Sequence, residues 1–323
     1  MAEVSLQWQS SLYLFPSLFA SLSPHSFSAM TKKKSVLQQA REGDSGGRGD
    51  RAKEKNLRPA SRRPMRWDLV IIFLVISIGG SWAVLAFRPG ISVPIYTYKV
   101  LNTFPHDPES FTQGLLIDAE GIVYESTGQY GQSKLRKYRL ESGEILKQVD
   151  LDKKYFGEGL ALWGDRFYQL TWKEETCFVY DSEFNQVEKF SYDTDGWGLT
   201  STETDLVMSN GTHKLSFRDP KTFEERRYVW VRMSGRLVPR LNELEYYAGK
   251  IYANQLDSDL VFVIDPQTGN VLSVVDLAGL WPFKERTREG SVLNGLAVMP
   301  GTKRLFATGK YCPKIYELEL IEK

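Results

Sequence analysis

From Ile95 onward, apolar residues come in short runs rather than at helical spacing. Val, Ile, Tyr, Phe and Thr cluster a few at a time and are interrupted by Asp, Gly and Pro, a pattern that predicts many short strands. The chain ahead of this region reads differently. Leu69–Phe87 (LVIIFLVISIGGSWAVLAF) carries no charge over 19 residues. As a helix it would extend roughly 28 Å, about one hydrocarbon core. It therefore predicts a single transmembrane helix at 69–87. The alternative, a buried core helix, is disfavoured because uncharged runs of this length are rare in soluble domains. Residues 1–68 hold little apolar material between Ser35 and Arg63 and many Lys and Arg, including Lys32, Lys33, Lys34, Arg62, Arg63 and Arg66. Such a segment cannot bury a core and predicts a disordered basic arm. A basic run of this kind is also read as a nucleic-acid patch. The apolar span that follows favours a role in membrane orientation instead, and no nucleic-acid partner is expected. The positive-inside rule puts residues 1–68 in the cytosol and residues 88–323 in the lumen. The expected topology is a single-pass type II signal-anchor protein of the secretory pathway (endoplasmic reticulum, Golgi or vacuole), held in the membrane through Leu69–Phe87.

The strand-rich region repeats itself. Five segments follow one template: FTQGLLIDAEGIVYEST from Phe111, FGEGLALWGDRFYQLTW from Phe156, GWGLTSTETDLVMSNGT from Gly196, LNELEYYAGKIYANQLD from Leu241 and LNGLAVMPGTKRLFATGK from Leu293. Their starts lie 45, 40, 45 and 52 residues apart, near the length of one four-stranded propeller blade. Acidic turns (Glu141-Ser142-Gly143, Asp181-Ser182, Asp219-Pro220, Asp265-Pro266) recur between strands and suit hairpin chemistry. The predicted fold is all-β, a five-bladed β-propeller preceded by the transmembrane helix and the basic arm. Lys314–Leu320 is expected to pair with Tyr96–Phe104 and close the ring, which removes an open sheet edge. A β-sandwich is the alternative, disfavoured by the regular spacing. In a propeller, equivalent positions of each repeat converge on the central channel. The position before Gly-Leu holds Gln113, Glu158, Trp197, Asn242 or Glu243, and Asn294. The end of the second strand holds Ser126, Trp172, Asn210, Asn254 and Lys310. A carboxylate, a lysine, amides and tryptophans are thereby expected at one channel mouth.

Composition narrows the chemistry. The net charge is +1, so no global field points to an acidic polymer. With only 3 histidines (His25, His106, His213) and 2 cysteines (Cys177, Cys312), a zinc hydrolase or a facial-triad oxygenase is disfavoured. A Cys177–Cys312 disulfide is left open by the spacing. Asn210-Gly211-Thr212 is an N-glycosylation sequon. The template puts it at the channel mouth, where a glycan would obstruct the site.

The strings FPHDPESFTQGL (104–115), YESTGQYG (124–131), YFGEGLAL (155–162), DGWGL (195–199), LNELEY (241–246), VLNGLAV (292–298) and TGK (308–310) together resemble the plant-type glutaminyl cyclases, or glutaminyl-peptide cyclotransferases. The resemblance runs over roughly Val100–Leu320. It implies a five-bladed propeller whose active site sits at one channel mouth and whose channel binds a metal ion. That ion is expected to be structural, calcium or zinc, with no ligands identified from sequence and no cofactor required for chemistry. It further implies conversion of N-terminal glutamine of peptides and proteins to pyroglutamate, with release of ammonia. Two positions depart from the family pattern: Leu256 and Cys312 lie in stretches where the family carries tryptophan. They favour the alternative of a non-catalytic propeller that binds peptide N-termini. A lactonase-like or strictosidine-synthase-like propeller, which relies on channel metal ligands or histidine bases, is argued against by the histidine count.

For the cyclase reading, Glu158 is the expected proton carrier, since the glycines of Phe156-Gly157-Glu158-Gly159 allow close substrate approach and neighbouring tryptophans would desolvate it and raise its pKa. Lys310 is expected to stabilise charge on the γ-oxygen. Gln113 and Asn242 are expected to fix the substrate amide, and Phe111, Phe156, Trp172 and Trp197 to wall the pocket. A monomer is expected.

Overall fold

A computed structural model describes residues 93–323. The expected basic arm and the Leu69–Phe87 span lie outside the described residues. Among the described residues no helix is long and apolar enough to cross a membrane.

The described chain is all-β apart from one 3-10 turn at Phe283–Glu285. It opens with β1 (Ile95–Pro105). A first four-stranded antiparallel sheet follows: β2 (Thr112–Ile117), β3 (Ile122–Thr127), β4 (Lys134–Arg139) and β5 (Ile145–Asp150). A second contains β6 (Gly157–Trp163), β7 (Arg166–Thr171), β8 (Thr176–Tyr180) and β9 (Gln186–Ser191). A third contains β10 (Leu199–Ser201), β11 (Leu206–Ser209), β12 (Lys214–Arg218) and β13 (Glu225–Trp230). A short hairpin, β14 (Arg232–Met233) with β15 (Arg236–Leu237), leads to β16 (Leu241–Tyr247), β17 (Lys250–Gln255), β18 (Leu260–Ile264) and β19 (Val271–Asp276). The chain ends with β20 (Leu293–Val298), β21 (Leu305–Gly309) and β22 (Lys314–Glu322). The last two groups share one sheet in the order β16-β17-β18-β19-β1-β22-β21-β20.

Strand β1 joins the two ends of the domain. It runs antiparallel to β22 from Tyr96↔Glu322 to Pro105↔Lys314. Its parallel contact with β19 is brief, at Ile95↔Val274 and Tyr96↔Val275. The expected pairing of Lys314–Leu320 with Tyr96–Phe104 is the pairing observed.

Burial changes in order across each four-stranded group. The leading strands β2, β6, β16 and β20 are buried almost throughout. The trailing strands β5 and β9 (ILKQVD and QVEKFS) are largely exposed. A strand buried on both faces needs small or apolar residues, whereas an outer strand tolerates charge. Five clusters of buried side chains link successive groups. Leu135 packs with Leu160 and Phe178, Ala161 and Leu170 with Leu206 and Met208, and Val207 and Leu215 with Leu244 and Ile251. Val261 and Val263 pack with Leu296 and Leu305. Finally, Ala297 and Phe306 pack with Leu115 and Val123, returning to the first sheet. The apolar core is therefore distributed between sheets in a propeller-like, cyclic order.

At the centre the leading strands come too close for side chains. A Cβ placed on Gly114 would lie 2.4 Å from Leu160 N, and one on Gly159 would lie 2.3 Å from Leu199 N. The recurring Gly-Leu of the sequence template is explained by this contact: one strand's glycine lies against the next strand's backbone. Cys177 and Cys312 are both free and buried, in separate clusters, so the disulfide left open by sequence does not form.

Candidate active site

Each repeat places a polar residue at the start of its leading strand, and the sheet register accounts for its orientation. Ladder pairing shifts between Thr112 and Gly114, Gly157 and Leu160, Leu241 and Leu244, and Leu293 and Leu296. The residues left out of the ladder are Gln113, Glu158 with Gly159, Asn242 with Glu243, and Asn294 with Gly295. A β-bulge of this kind frees a residue from pairing and re-aims its side chain. In the third sheet β10 begins only at Leu199, so Trp197 lies ahead of the ladder.

Of these residues Gln113, Glu158, Trp197 and Asn242 line a cavity of about 280 Å³. Phe111, Gln113, Phe156, Glu158, Trp172, Trp197, Asn242 and Lys310 all line it, so the structure brings together every residue to which the sequence reading gave a catalytic or substrate-binding role. Gln129 and Leu256 line it as well. Gln129 has no repeat signal and was not among the candidates. Leu256 puts an aliphatic side chain in the wall. The aromatic wall is continuous: Phe111 meets Phe156 edge-on at 5.8 Å, and Phe156 meets Trp172 at 5.5 Å.

The cavity is electrostatically unusual. Glu158 is 4% exposed and Lys310 6% exposed. Burial pushes the Glu158 carboxyl well above the usual carboxylate range; Lys310 opposes that rise, and Asp195 and Glu174 add to it. Burial likewise lowers Lys310, opposed by Glu158 and Asp257. The Lys310 ammonium sits 4.5 Å from the centre of the Phe111 ring, a cation–π contact that holds it in the wall. Glu158 is anchored through its backbone, whose carbonyl accepts from Ser126 Oγ. Several wall groups keep free hydrogen-bonding capacity: Trp197 Nε1 and Asn242 Oδ1 are buried without a partner among the described residues. Gln113 Oε1 accepts from Asn294 Nδ2 at 3.1 Å. Buried polar groups are normally satisfied, so unpaired donors and acceptors lining a cavity point to a ligand that completes them.

The second template position is corrected by the structure. Four backbone N–H groups repeat one bond, from the residue just after the second strand to the residue just before the leading strand: Gly128 to Phe111, Trp172 to Phe156, Leu256 to Arg240 and Lys310 to Val292. Gly128 and Leu256 thus occupy the positions that the sequence template assigned to Ser126 and Asn254. Both of those side chains instead tie neighbouring strands. Ser126 bonds the Glu158 carbonyl, and Asn254 Oδ1 accepts from Gly295 N at 3.1 Å. Asn210 is also not in the cavity. Its Nδ2 donates to Thr194 Oγ1 at 3.0 Å, and its Oδ1 accepts from Thr212 Oγ1 at 2.6 Å, beside a separate hollow lined by Asp193 and Arg218. The acceptor asparagine of the sequon therefore does not line the cavity it was expected to obstruct.

A buried ionic network supports the turn that carries Lys310. Glu125 accepts from Arg136 Nε at 2.9 Å, from Thr112 Oγ1 at 2.7 Å, and faces His106 Nε2 at 3.1 Å. The other ring nitrogen of His106 lies 2.5 Å from the Cys312 carbonyl oxygen. The His106 N–H donates to Pro313 O at 3.0 Å, and the Tyr311 N–H to Ser110 O at 2.6 Å. Segment 106–110 therefore clamps residues 311–313, directly after Lys310. Desolvation alone would raise the Glu125 carboxyl, but Arg136 and His106 outweigh it and hold the group well below the usual carboxylate range. In the sequence this segment stands only within the resemblance string FPHDPESFTQGL, with no role of its own.

The expected channel cation can be tested against its donors. Glu243 Oε1 and Asn294 Oδ1 are buried without hydrogen-bond partners among the described residues. Oxygen donors of this type suit calcium. No three His, Cys, Asp or Glu side chains gather into a metal-holding group among the described residues, so neither the nitrogen and sulfur donors usual for zinc nor a cluster of carboxylates for calcium is assembled, and Glu243 and Asn294 offer calcium two side-chain oxygens.

Comparison with known proteins follows this geometry. A family model described as glutamine cyclotransferase matches residues 74–320. A glutaminyl-peptide cyclotransferase of Arabidopsis thaliana is 40% identical over 234 residues, 71% of this chain and 73% of that protein. The crystal structure of Myxococcus xanthus glutaminyl cyclase superposes with a TM-score of 0.68 at 36% identity, covering 72% of this chain and 100% of that one.

Proposed function

The chain belongs to the glutamine cyclotransferase family, and from that premise we propose that it is a glutaminyl-peptide cyclotransferase, an acyltransferase that converts N-terminal glutamine of peptides and proteins to pyroglutamate. One observation supports this reading above the others. A buried carboxyl with no hydrogen bond of its own side chain among the described residues, a buried lysine and the unpaired amide oxygen of Asn242 belong to residues that share one aromatic-walled cavity.

The substrate's α-amine nitrogen attacks its own γ-carboxamide carbon. A C–N bond forms, a five-membered lactam closes, and the bond to the amide nitrogen breaks to release ammonia. A peptide α-amine has a pKa of about 7.7–8.0, so a usable fraction is neutral near pH 7. Amide nitrogen leaves poorly unless protonated. Glu158 accepts the α-amine proton and returns it to the departing nitrogen, so the enzyme ends in its starting protonation state. Its raised pKa suits both transfers, since a carrier works best when its pKa lies near the working pH. The Lys310 ammonium faces the charge developing on the γ-oxygen. Asn242 Oδ1, Trp197 Nε1 and the Gln113 amide hold the carboxamide and α-amine in attack geometry, and alignment of this kind supplies several kcal/mol. The aromatic wall excludes water. A calcium ion held by Glu243 and Asn294 would offset the buried Glu243 charge and join β16 to β20.

Ammonia release from glutaminyl dipeptides, with mass-spectrometric detection of the pyroglutamyl product, tests the reaction. Binding of the dipeptide without turnover would instead support the non-catalytic propeller.

The finer architecture proposed is five blades: β2–β5, β6–β9, β10–β13, β16–β19, and β20–β22 completed by β1. The proposed topology is a type II anchor through Leu69–Phe87 with the catalytic domain lumenal and monomeric, motivated by the uncharged apolar run and its basic N-terminal flank. Protease treatment of sealed microsomes checks this topology: the catalytic domain is expected to survive until detergent is added, and digestion without detergent would overturn it.

A further inference from the structure

Tyr130 is a large exposed aromatic side chain that is tied to its neighbours by both a hydrogen bond and a ring contact. The residue is 48% exposed, yet its hydroxyl donates to Glu174 Oε1 at 2.7 Å. The other oxygen of Glu174 accepts from the Phe156 N–H at 3.1 Å. The Tyr130 ring also meets the Phe156 ring at 5.3 Å, and Phe156 is part of the cavity wall. One carboxylate therefore fixes an exposed ring to the wall of the site.

The turn that carries Tyr130 is equally constrained. Gln129 has φ of 96°, a left-handed conformation unusual for a residue with a side chain, and it is one of the residues that line the cavity. Its carbonyl accepts from Ser133 Oγ at 2.8 Å and from Gln132 N at 3.0 Å. Gly128 before it bonds the Phe111 carbonyl at 2.8 Å. Strain held by surrounding bonds is a recurring property of functional turns. Here it sets Gln129 in the cavity wall and leaves Tyr130 partly exposed beside that wall.

We propose that Gln129, Tyr130 and Glu174 form a second subsite, which takes the residue following the N-terminal glutamine and favours a large apolar or aromatic side chain there. This rests on the glutaminyl cyclotransferase reading. With the glutamine side chain inside the cavity, the second residue is the first to leave it. Tyr130 gives that residue a fixed ring surface continuous with the aromatic wall, so stacking costs little ordering of the protein. The Gln129 amide provides a donor and an acceptor for the peptide group between the two residues.

The test compares kcat/KM for the dipeptides Gln-Phe, Gln-Ala and Gln-Lys. Gln-Phe is expected to exceed Gln-Ala by roughly three- to tenfold in the wild type, the size of an aromatic pair. Tyr130→Ala is expected to bring the ratio within about twofold of one, and Tyr130→Phe, which keeps the ring, is expected to preserve it. An unchanged ratio in Tyr130→Ala, or Gln-Lys outranking Gln-Phe, would overturn the subsite. Calorimetric binding of Gln-Phe and Gln-Ala, measured in full-length Glu158→Gln with and without Tyr130→Ala, gives the same ratio without turnover. Wild-type silence toward all three dipeptides would thus refute the proposed activity, while the binding ratio would still decide the subsite.

Discussion

Replacing Glu158 by Gln is expected to remove activity and stabilise the fold together. The substitution keeps the shape of the side chain and takes away its ability to carry a proton. General acid–base transfer contributes about 10²–10⁴-fold, or roughly 2.7–5.5 kcal/mol of barrier, and the loss of kcat should fall in that range. Stability moves the opposite way. The Glu158 pKa is raised by burial above its unfolded value, so the folded state binds more protons as pH rises past the ordinary carboxylate range, and folding stability falls. The glutamine variant escapes that loss. Relief of a strained site typically contributes about 0.5–2 kcal/mol, or a Tm increase of roughly 1–8 °C for a domain of this size. The gain should fade as pH drops below the unfolded carboxylate value, where wild-type Glu158 is neutral in both states. Ammonia release across a pH series reads the first effect, and thermal melts by circular dichroism read the second. The acid limb of the wild-type pH–rate profile should lie above the ordinary carboxylate range. Turnover in the variant within tenfold of wild type would refute the role of Glu158, and a lowered Tm near neutral pH would refute the account of its burial.

Two further substitutions probe the scaffold. Glu125→Ala leaves Arg136 with only the half-exposed Asp107 carboxylate and takes the carboxylate away from His106; breaking a buried pair costs about 3–5 kcal/mol, or a Tm loss of roughly 6–20 °C. Because the folded Glu125 pKa is depressed, its contribution is present above the unfolded carboxylate value and is lost as pH falls through the folded one. The wild-type Tm should therefore drop in acid more steeply than that of the variant, and parallel slopes in melts down to about pH 3 would count against the network. Gly128→Ala would put a Cβ 2.2 Å from the Phe156 ring. Overpacking of this kind costs about 1–3 kcal/mol, and displacement of the pocket wall should raise KM for Gln-Ala. Unchanged melting and unchanged KM would mean that Phe156 moves aside freely.

The repeat was legible in the sequence because each sheet needs the same solution at the channel. Gly114 and Gly159 must admit a neighbouring backbone, and the polar residue before each must leave the ladder. That made Gln113, Glu158, Trp197 and Asn242 recognisable as one set, although up to 129 positions separate them in the sequence. Lys310, Trp172 and the two phenylalanines followed from the same alignment. The alignment failed at Ser126 and Asn254, two residues short of the positions that face the cavity or its wall. Residue counting along a repeat cannot see where the ladder begins, because register is set by hydrogen bonds between strands. Gln129 and Tyr130 had no signal, since their turn is individual to one repeat and depends on a carboxylate from the next sheet.

By itself, then, the order of residues determined the all-β character, the repeat length, most of the membership of the cavity and the pairing of the two chain ends. These follow from local alternation and from repetition, which are properties of the chain read one segment at a time. Tertiary structure alone decided which polar groups stay unpaired, how far burial shifts Glu158 and Lys310, and which segment clamps the Lys310 turn. Those quantities depend on desolvation and on contacts between residues such as Tyr130 and Glu174 or His106 and Cys312. Such contacts exist only when distant segments are packed together, so no local pattern in the sequence encodes them.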